Sequence, residues 1–174
     1  MKRTYAAVVF GMIAMWSVAA SASTTTPLVS KDTYTVGKGD LEIFFALDPE
    51  IIRGAADSEV IQLKLGANYF LTDIFAPGME IDYAHAGGDT FRFLPNLKAY
   101  WPLHNRVLPY AQIGIGYAHA SGVDLFDFAI GPGVDFMLSN TVAIGIQFRY
   151  DLLTGDGTLH ELQFPIDFAL YFKL

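Results

Sequence analysis

Phe164-Pro-Ile-Asp-Phe-Ala-Leu-Tyr-Phe-Lys-Leu174 closes the chain, and a large apolar side chain stands at every even position of this stretch. The odd positions carry proline, charged, small and aromatic residues. Because successive side chains of a strand point to opposite faces, the pattern predicts a strand with one continuous apolar face. About ten residues of this kind are enough for a tilted strand to cross a bilayer.

The same alternation recurs upstream and predicts eight strands in all. They cover residues 39–47, 60–72, 75–86, 90–102, 107–118, 125–138, 141–152 and 161–174. Beyond the N-terminal stretch, no apolar run reaches the roughly 18 residues that a membrane helix needs. Strands cross a bilayer only as a closed barrel, since every backbone polar group must be paired there. We therefore predict an all-β fold, an eight-stranded antiparallel up-and-down transmembrane β-barrel.

The N-terminus has the features of a secretory signal peptide. Lys2 and Arg3 precede an apolar stretch, and Ala20-Ser-Ala22 supplies the small residues of a cleavage site. The predicted organisation is a cleaved signal peptide at 1–22, a polar periplasmic lead-in at 23–38 and a barrel at 39–174. Removal of the signal leaves nine basic against eighteen acidic residues, a net charge of −9 that makes nucleic acid an unsuitable partner. The chain contains no cysteine, so disulfides and thiolate metal sites are excluded.

The residues of the polar face indicate which face of the strands lines the lumen. A soluble, lipocalin-like periplasmic binder would turn the apolar face inward instead. Glycines recur on the polar face, where they suit a crowded lumen better than a solvated strand surface. Tyrosine and tryptophan lie near both ends of the apolar face, as interfacial girdles require. We expect the polar face to line the lumen.

The lumen is expected to hold a network of mixed charges. Its expected members are Glu80, Asp82, Lys98, Asp135, Arg149 and Asp167. An eight-stranded barrel is only wide enough for its own side chains, so these charges should pair as a structural plug. A narrow channel is the alternative that the same residues leave open.

Connections of two kinds orient the barrel. Three are tight turns, and the others, centred on residues 48–59, 85–90, 119–124 and 153–160, are longer or rich in Gly and Asp. Short periplasmic turns and longer outer loops are typical of outer-membrane barrels, so both termini are expected in the periplasm. Pro95 and Pro132 fall inside predicted strands, where we expect β-bulges.

One group of residues near the outer rim has the composition of a hydrolase site. His119 and Ser121 lie together, with Asp124 and Glu161 as candidate third members. A polar loop carries such residues without any catalysis, and we expect no enzyme activity. His85, His119 and His160 also fall near this rim, but they lack metal-ligand spacing, so neither a metal nor a cofactor is expected.

The chain resembles the small outer-membrane β-barrel proteins of Gram-negative bacteria, of the OmpX and OmpA-barrel kind. The resemblance rests on the aromatic last strand and on further motifs. These are Tyr69-Phe-Leu-Thr-Asp73, Leu97-Lys-Ala-Tyr-Trp-Pro-Leu103 followed by Leu108-Pro-Tyr-Ala-Gln-Ile-Gly-Ile-Gly-Tyr117, and Ile130-Gly-Pro-Gly-Val134. It implies a location in the cell outer membrane, contact with its lipid and lipopolysaccharide, and recognition of the last strand by the barrel-assembly machinery. The terminal Leu174 departs from the family's preference for Phe or Trp.

The resemblance also raises the alternative of a lipid A acyl hydrolase. A lipid A deacylase among these barrels carries its His-x-Ser pair at the end of the penultimate strand. The matching stretch here is Phe148-Arg-Tyr-Asp-Leu152, which contains neither residue. We therefore predict an integral outer-membrane barrel with a structural or surface-interaction role, and the sequence specifies no surface ligand.

Overall fold

The computed structural model describes residues 36–52, 58–85, 88–101, 106–155 and 157–174, and these form strands joined by short connections. The predicted signal peptide and most of the lead-in lie outside this range. The strand segments are β1 (Asp40–Ile52), β2 (Ser58–Tyr69), β3 (Phe75–His85), β4 (Asp89–Tyr100), β5 (Val107–Ala120), β6 (Val123–Met137), β7 (Val142–Gln147), β8 (Arg149–Thr154), β9 (Thr158–Gln163) and β10 (Ile166–Lys173). In the described part of the chain, no helix is long and apolar enough to cross a membrane.

The ten segments make eight antiparallel barrel strands. β7 and β8 pair with β6 in one unbroken register on either side of Phe148, and β9 and β10 continue one another past Phe164 and Pro165. Each remaining strand pairs with its neighbour in sequence, while β1 pairs with β10 to close the ring. Closure leaves most of the sheet without a free edge. The predicted fold class is confirmed.

We name the two ends of the barrel by what they carry. The terminal end carries Asp40 and Lys173, and the loop end carries Ala120 and Val123. At the loop end β1 runs to Ile52, although the sequence pattern predicted that this strand ends at residue 47. Asp48, predicted to start a loop, instead lies in β1 and points into the barrel. The prediction was wrong because proline and acidic residues after Leu47 hid the continuing alternation.

Side chains sort by face as the polar-lumen prediction requires. The outward face of every strand exposes large apolar residues, and the inward face buries polar ones. Exposed Tyr83 and Tyr117 lie toward the loop end, and exposed Tyr69 and Trp101 toward the terminal end. An apolar belt between two aromatic girdles matches the cross-section of a bilayer. The soluble, lipocalin-like alternative is excluded by this arrangement.

Neither strand proline produces a bulge. The β3–β4 register runs unchanged through Pro95, and the β5–β6 register runs unchanged through Pro132. The prediction of bulges was therefore wrong. A proline removes one donor from the ladder without adding a residue, so the loss at each site is a hydrogen bond and not a change of register.

Gly131 shows how closely the strands pack against the lumen. A Cβ at this position would overlap the carbonyl oxygen of Phe148 and press on Cα of Arg149, both of which are backbone atoms that cannot turn aside. Gly131→Ala is therefore expected to lower the free energy of unfolding by about 1–3 kcal/mol. Urea unfolding in lipid vesicles measures the change.

Gly157→Ala is the matched control, because no atom lies within 4 Å of its added methyl. We expect it to alter stability by less than about 0.5 kcal/mol. Equal effects of the two substitutions would contradict the steric explanation.

Candidate functional site

The barrel interior concentrates the charged residues of the chain. Among the described residues, four cations are buried, namely Lys64, Arg92, Lys98 and Arg149. Nine carboxylates are buried with them, namely Asp40, Glu42, Asp48, Glu80, Asp82, Asp127, Asp135, Asp151 and Asp167. The interior is thus strongly acidic, and the positions of the four cations decide which acids are neutralised.

Arg149 is the centre of the cluster in the middle of the barrel. It lies at the start of β8, exposes 0% of its surface and points its whole guanidinium into the lumen. Its Nη2 lies 3.0 Å from Oδ2 of Asp82, its Nε lies 3.0 Å from Oδ1 of Asp151, and its Nη1 contacts Glu80. A planar group with five donors is suited to three carboxylates at once.

Lys64 and Arg92 extend this cluster toward β1, β4 and β9. Lys64 Nζ donates to Gln163 Oε1 at 2.6 Å and lies 3.4 Å from Asp82 and 3.5 Å from Asp48. Arg92 Nη1 lies 3.1 Å from Asp151, and its Nη2 contacts Glu161. Arg92 of β4 meets acids of β8 and β9 on the far side of the barrel, so its contacts bridge the lumen. Lys64 of β2 meets acids of the neighbouring strands β1 and β3.

Lys98 forms a separate cluster nearer the terminal end. Its Nζ donates to Glu42 Oε1 at 2.8 Å and lies 4.5 Å and 4.6 Å from the ring centroids of Phe44 and Tyr110. The other Glu42 oxygen accepts hydrogen bonds from Asn68 at 2.7 Å and Tyr100 at 3.0 Å. This carboxylate is therefore fully paired with a cation and two neutral donors.

Asp135 and Asp167 lie beside the Lys98 cluster without a cation of their own. Asp135 Oδ2 accepts from Tyr171 at 2.8 Å and from Tyr100 at 3.3 Å. Within the described chain, no Lys or Arg nitrogen comes within 4.0 Å of either carboxylate. The structure thus brings Glu80, Asp82 and Arg149 together as one contact group and places Lys98, Asp135 and Asp167 in another layer.

Aromatic side chains fill the lumen below these charges. The Phe70 ring lies 5.0 Å from that of Tyr100 and 6.3 Å from that of Tyr171, and Tyr100 lies 5.3 Å from Tyr110. All four are buried. They form a tilted aromatic layer on the side of the charged clusters nearer the terminal end, and the hydroxyls of Tyr100 and Tyr171 donate hydrogen bonds to the acids.

The hydrolase candidates lie on different sides of the barrel wall. His119 is exposed at the loop end, and its Nδ1 lies 2.7 Å from Oδ1 of Asp124. Glu161 instead turns into the lumen and binds Arg92. Ser121 occupies a hairpin turn with φ of 49°, and none of the hydrogen bonds between described residues joins it to His119. The structure brings His119 and Asp124 together but leaves Ser121 and Glu161 out of the group.

A second hairpin repeats the same contacts without a serine. Tyr117 donates to Asp124 Oδ1 at 2.6 Å beside His119, and Tyr83 donates to Asp89 Oδ1 at 2.9 Å beside His85, whose Nδ1 is 2.8 Å away. Both groups derive from a Tyr-Ala-His tripeptide at the end of an outgoing strand. The His–Asp contact therefore belongs to hairpin construction at this rim and does not depend on a nucleophile.

His160 makes a related contact in a third hairpin. Its Nδ1 lies 2.5 Å from the hydroxyl of Tyr150. Each of the three histidines thus has its partner within its own hairpin. The described residues contain no group of three or more His, Cys, Asp or Glu side chains placed to hold a metal ion.

Sequence reasoning missed several members of the interior. Asp48, Asp127 and Asp151 are buried, and all three stand on the inward parity of their strands. Asp127 and Asp151 already lie inside the predicted strands 125–138 and 141–152, so their parity alone was enough to find them. Asp48 required the first strand to be extended past residue 47. Which cation each acid meets could not have been found this way, because the contacts join strands far apart in sequence.

Comparison with known proteins supports the fold. The chain is similar to the N-terminal β-barrel domain of Pseudomonas aeruginosa OprF, with 14% identity, a TM-score of 0.60, and coverage of 79% of this chain and 100% of that one. It is also similar to a de novo designed transmembrane β-barrel, with 11% identity, a TM-score of 0.61, and coverage of 79% and 99%. No protein-family model and no curated protein matches the chain by sequence.

A third similar structure is the outer membrane enzyme PagL, with 14% identity, a TM-score of 0.50, and coverage of 74% of this chain and 97% of that one. One fold thus accommodates a designed barrel and an enzyme. The resemblance to small outer-membrane barrels is confirmed as a resemblance of fold. Any function must be argued from the residues of this chain.

Proposed function

We propose that this eight-stranded transmembrane β-barrel is an integral protein of the cell outer membrane, exported by the predicted signal peptide at 1–22, with a structural or surface-interaction role and no catalysis. The observation that carries the proposal is the opposition of the two faces. The outward face is apolar between aromatic girdles, and the inward face is a packed set of buried charges. The first face requires lipid, and the second fills the barrel.

The packed interior favours a plug over a channel. Three cations lie well inside the lumen and are almost inaccessible to solvent: Arg149 exposes 0% of its surface, and Lys64 and Lys98 expose 2% each. A water-filled path at this depth would leave such side chains solvated, as they are in large porins. The bridging ion pairs also tie together strands on opposite sides of the barrel.

The rim geometry favours a role without catalysis. An acyl hydrolase needs a nucleophile within hydrogen-bond reach of its base. Here the base candidate His119 contacts Asp124, and the same arrangement recurs at His85 in a hairpin that has glycine where Ser121 stands. Tyrosine and histidine at this height are suited to contact the lipid and lipopolysaccharide headgroups.

The last strand, β10, is the segment that the barrel-assembly machinery would bind in this proposal. Its outward face exposes the aromatic side chains of Phe168 and Phe172.

Membrane fractionation with a gel-mobility assay tests the location and the barrel together. We expect the protein in the outer-membrane fraction, migrating faster unheated than boiled, because a closed barrel resists detergent until it is heated. A protein released with the periplasm, with one mobility under both conditions, would contradict the proposal.

Two further measurements separate the alternatives. In planar bilayers we expect no steady single-channel openings, and openings that change with Lys98→Met would establish a channel. In cells expressing the protein we expect lipid A of unchanged mass. Loss of an acyl chain that requires Ser121 would establish the hydrolase. The neighbouring Gly122→Ala is unsuitable as a control, because Gly122 has φ of 84° and alanine would strain the turn. Thr158→Ala at another hairpin is the matched control.

A further inference from the structure

Asp135, Gly145 and Asp167 lie side by side across three neighbouring strands. Gly145 of β7 pairs directly with Asp135 of β6 on one side and with Asp167 of β10 on the other. All three positions face the lumen, so the two carboxyl side chains flank a residue that has none. The glycine leaves a gap into which both acids can lean.

The two carboxyl groups converge in that gap. A Cβ built on Gly145 would overlap Oδ1 of Asp167 and lie 2.5 Å from Oδ1 of Asp135. These same two oxygens are buried and have no hydrogen-bond partner among the described residues. Asp135 is fully buried and Asp167 exposes 6% of its surface. Two unpartnered acceptors therefore face one small space.

Among the described residues, no Lys or Arg nitrogen lies within the 4.0 Å of an ion pair from either carboxyl group. The ammonium group of Lys98 lies in the same layer, but its Nζ donates to Glu42 Oε1 at 2.8 Å. The hydroxyls of Tyr100 and Tyr171 donate to the other oxygen of Asp135 and leave its Oδ1 unpaired. The titratable groups that face the pair from the packed strands are Glu42, Glu80, Lys98, Tyr100, Tyr110 and Tyr171.

We propose that Asp135 and Asp167 form a buried proton-binding site, in which one proton is shared between their facing Oδ1 atoms. Two ionised carboxylates in such a space repel each other, and burial penalises both charges. A proton on either acid removes one negative charge, and the protonated carboxyl group then donates a hydrogen bond to the facing oxygen of the other acid. The pair then carries a single negative charge, which lies near the ammonium of Lys98.

A proton fits this site better than a metal ion. Calcium takes six to eight oxygen ligands, whereas two carboxylates converge here. The positive charge of Lys98 also opposes a second cation in the same layer. The site goes beyond the proposed function, because it concerns the interior of the barrel and holds whether or not the rim binds a surface partner.

Infrared spectroscopy of the folded protein in lipid vesicles tests the proposal directly. Free aspartates are ionised at about pH 7, so the carbonyl stretch of a protonated carboxyl group at this pH reports a retained proton. We expect wild type to show this band and to lose it in strongly alkaline buffer. Asp135→Asn and Asp167→Asn should each remove the component assigned to the pair at about pH 7, because the amide then donates to the remaining carboxylate.

Asp151→Asn is the matched control, because Asp151 is a buried lumen carboxylate with Arg92 and Arg149 as partners. It should leave the band intact. The gel-mobility shift verifies that each variant is folded, and the two Asn variants test the pair independently.

The stability of the barrel supplies a second readout with a definite sign. The folded pair holds a proton that the unfolded carboxyls release above about pH 4, so raising the pH should lower the unfolding midpoint of wild type. The same rise should have a smaller effect in Asp167→Asn. Absence of the carbonyl band in wild type, or a band that keeps its full intensity in both Asn variants, would overturn the proposal. Carboxylate bands that respond to added Na⁺ or Ca²⁺ at fixed pH would overturn it in favour of a cation site.

Discussion

Arg149→Met is expected to lower the free energy of unfolding by about 3–5 kcal/mol, the cost of removing one partner from a buried ion cluster. The guanidinium contacts Glu80, Asp82 and Asp151, and the first two acids share Lys64 as their remaining cation. Methionine keeps most of the side-chain volume and removes the charge. Three buried carboxylates would then face one another with too little positive charge. Urea unfolding in lipid vesicles, followed by the gel-mobility shift, measures the loss.

Lys173→Met is the matched control for a lost cation. Lys173 Nζ lies 3.0 Å from Asp40, but its side chain is 71% exposed. An exposed ion pair contributes about 0–1 kcal/mol, so this variant should remain close to wild type. Arg149→Lys should fall between Arg149→Met and wild type, because an ammonium keeps the charge but cannot reach three carboxylates with a planar fork. If Arg149→Met unfolds as wild type does, the cluster is not what holds the interior together.

Ile113→Arg is expected to destabilise the folded barrel in a bilayer by about 2–4 kcal/mol, the cost of an arginine on the lipid face at the midplane. Ile113 lies near the middle of β5, faces outward and is flanked by Leu97 and Ile130 on the adjoining strands. Its new guanidinium would be surrounded by lipid and by these apolar side chains. Folding yield and urea unfolding in vesicles report the effect.

Val123→Arg controls for the position on the membrane normal. Val123 is also exposed, but it lies at the loop end beside the turn of Ser121 and Gly122. An arginine there reaches the interface, and the expected cost falls to about 0–1 kcal/mol. Equal costs at the two positions would show that the outward belt does not lie in lipid as the fold requires.

The sequence predicted the strands well because strand periodicity is a local property. Alternation at residues 164–174 needs only neighbouring residues to be recognised, and the same holds for the lumen positions of Glu80 and Arg149. The errors came where local chemistry interrupted the pattern. Pro49 ended the first predicted strand too early, and Pro95 and Pro132 were assigned bulges that the continuous registers exclude.

The candidate sites were predicted less completely than the fold. Position in the loops was enough to group His119, Ser121 and Glu161 in the sequence. The strand parity of Glu161, however, points its side chain into the lumen, where it contacts Arg92. Closeness in sequence at a rim therefore did not imply closeness in space. The contact of His119 with Asp124 depends on a hairpin register that the sequence left undefined.

The sequence by itself determined the fold class, the number of strands, and which residues face lipid or lumen, because these follow from a two-residue period and a repeated apolar face. Only the tertiary structure decided which charges meet. Arg149 lies 69 residues from Glu80, and Gly145 separates two acids that are 32 positions apart in the chain. Such contacts depend on the register of several strand pairs and on the narrow lumen, and no local pattern encodes either.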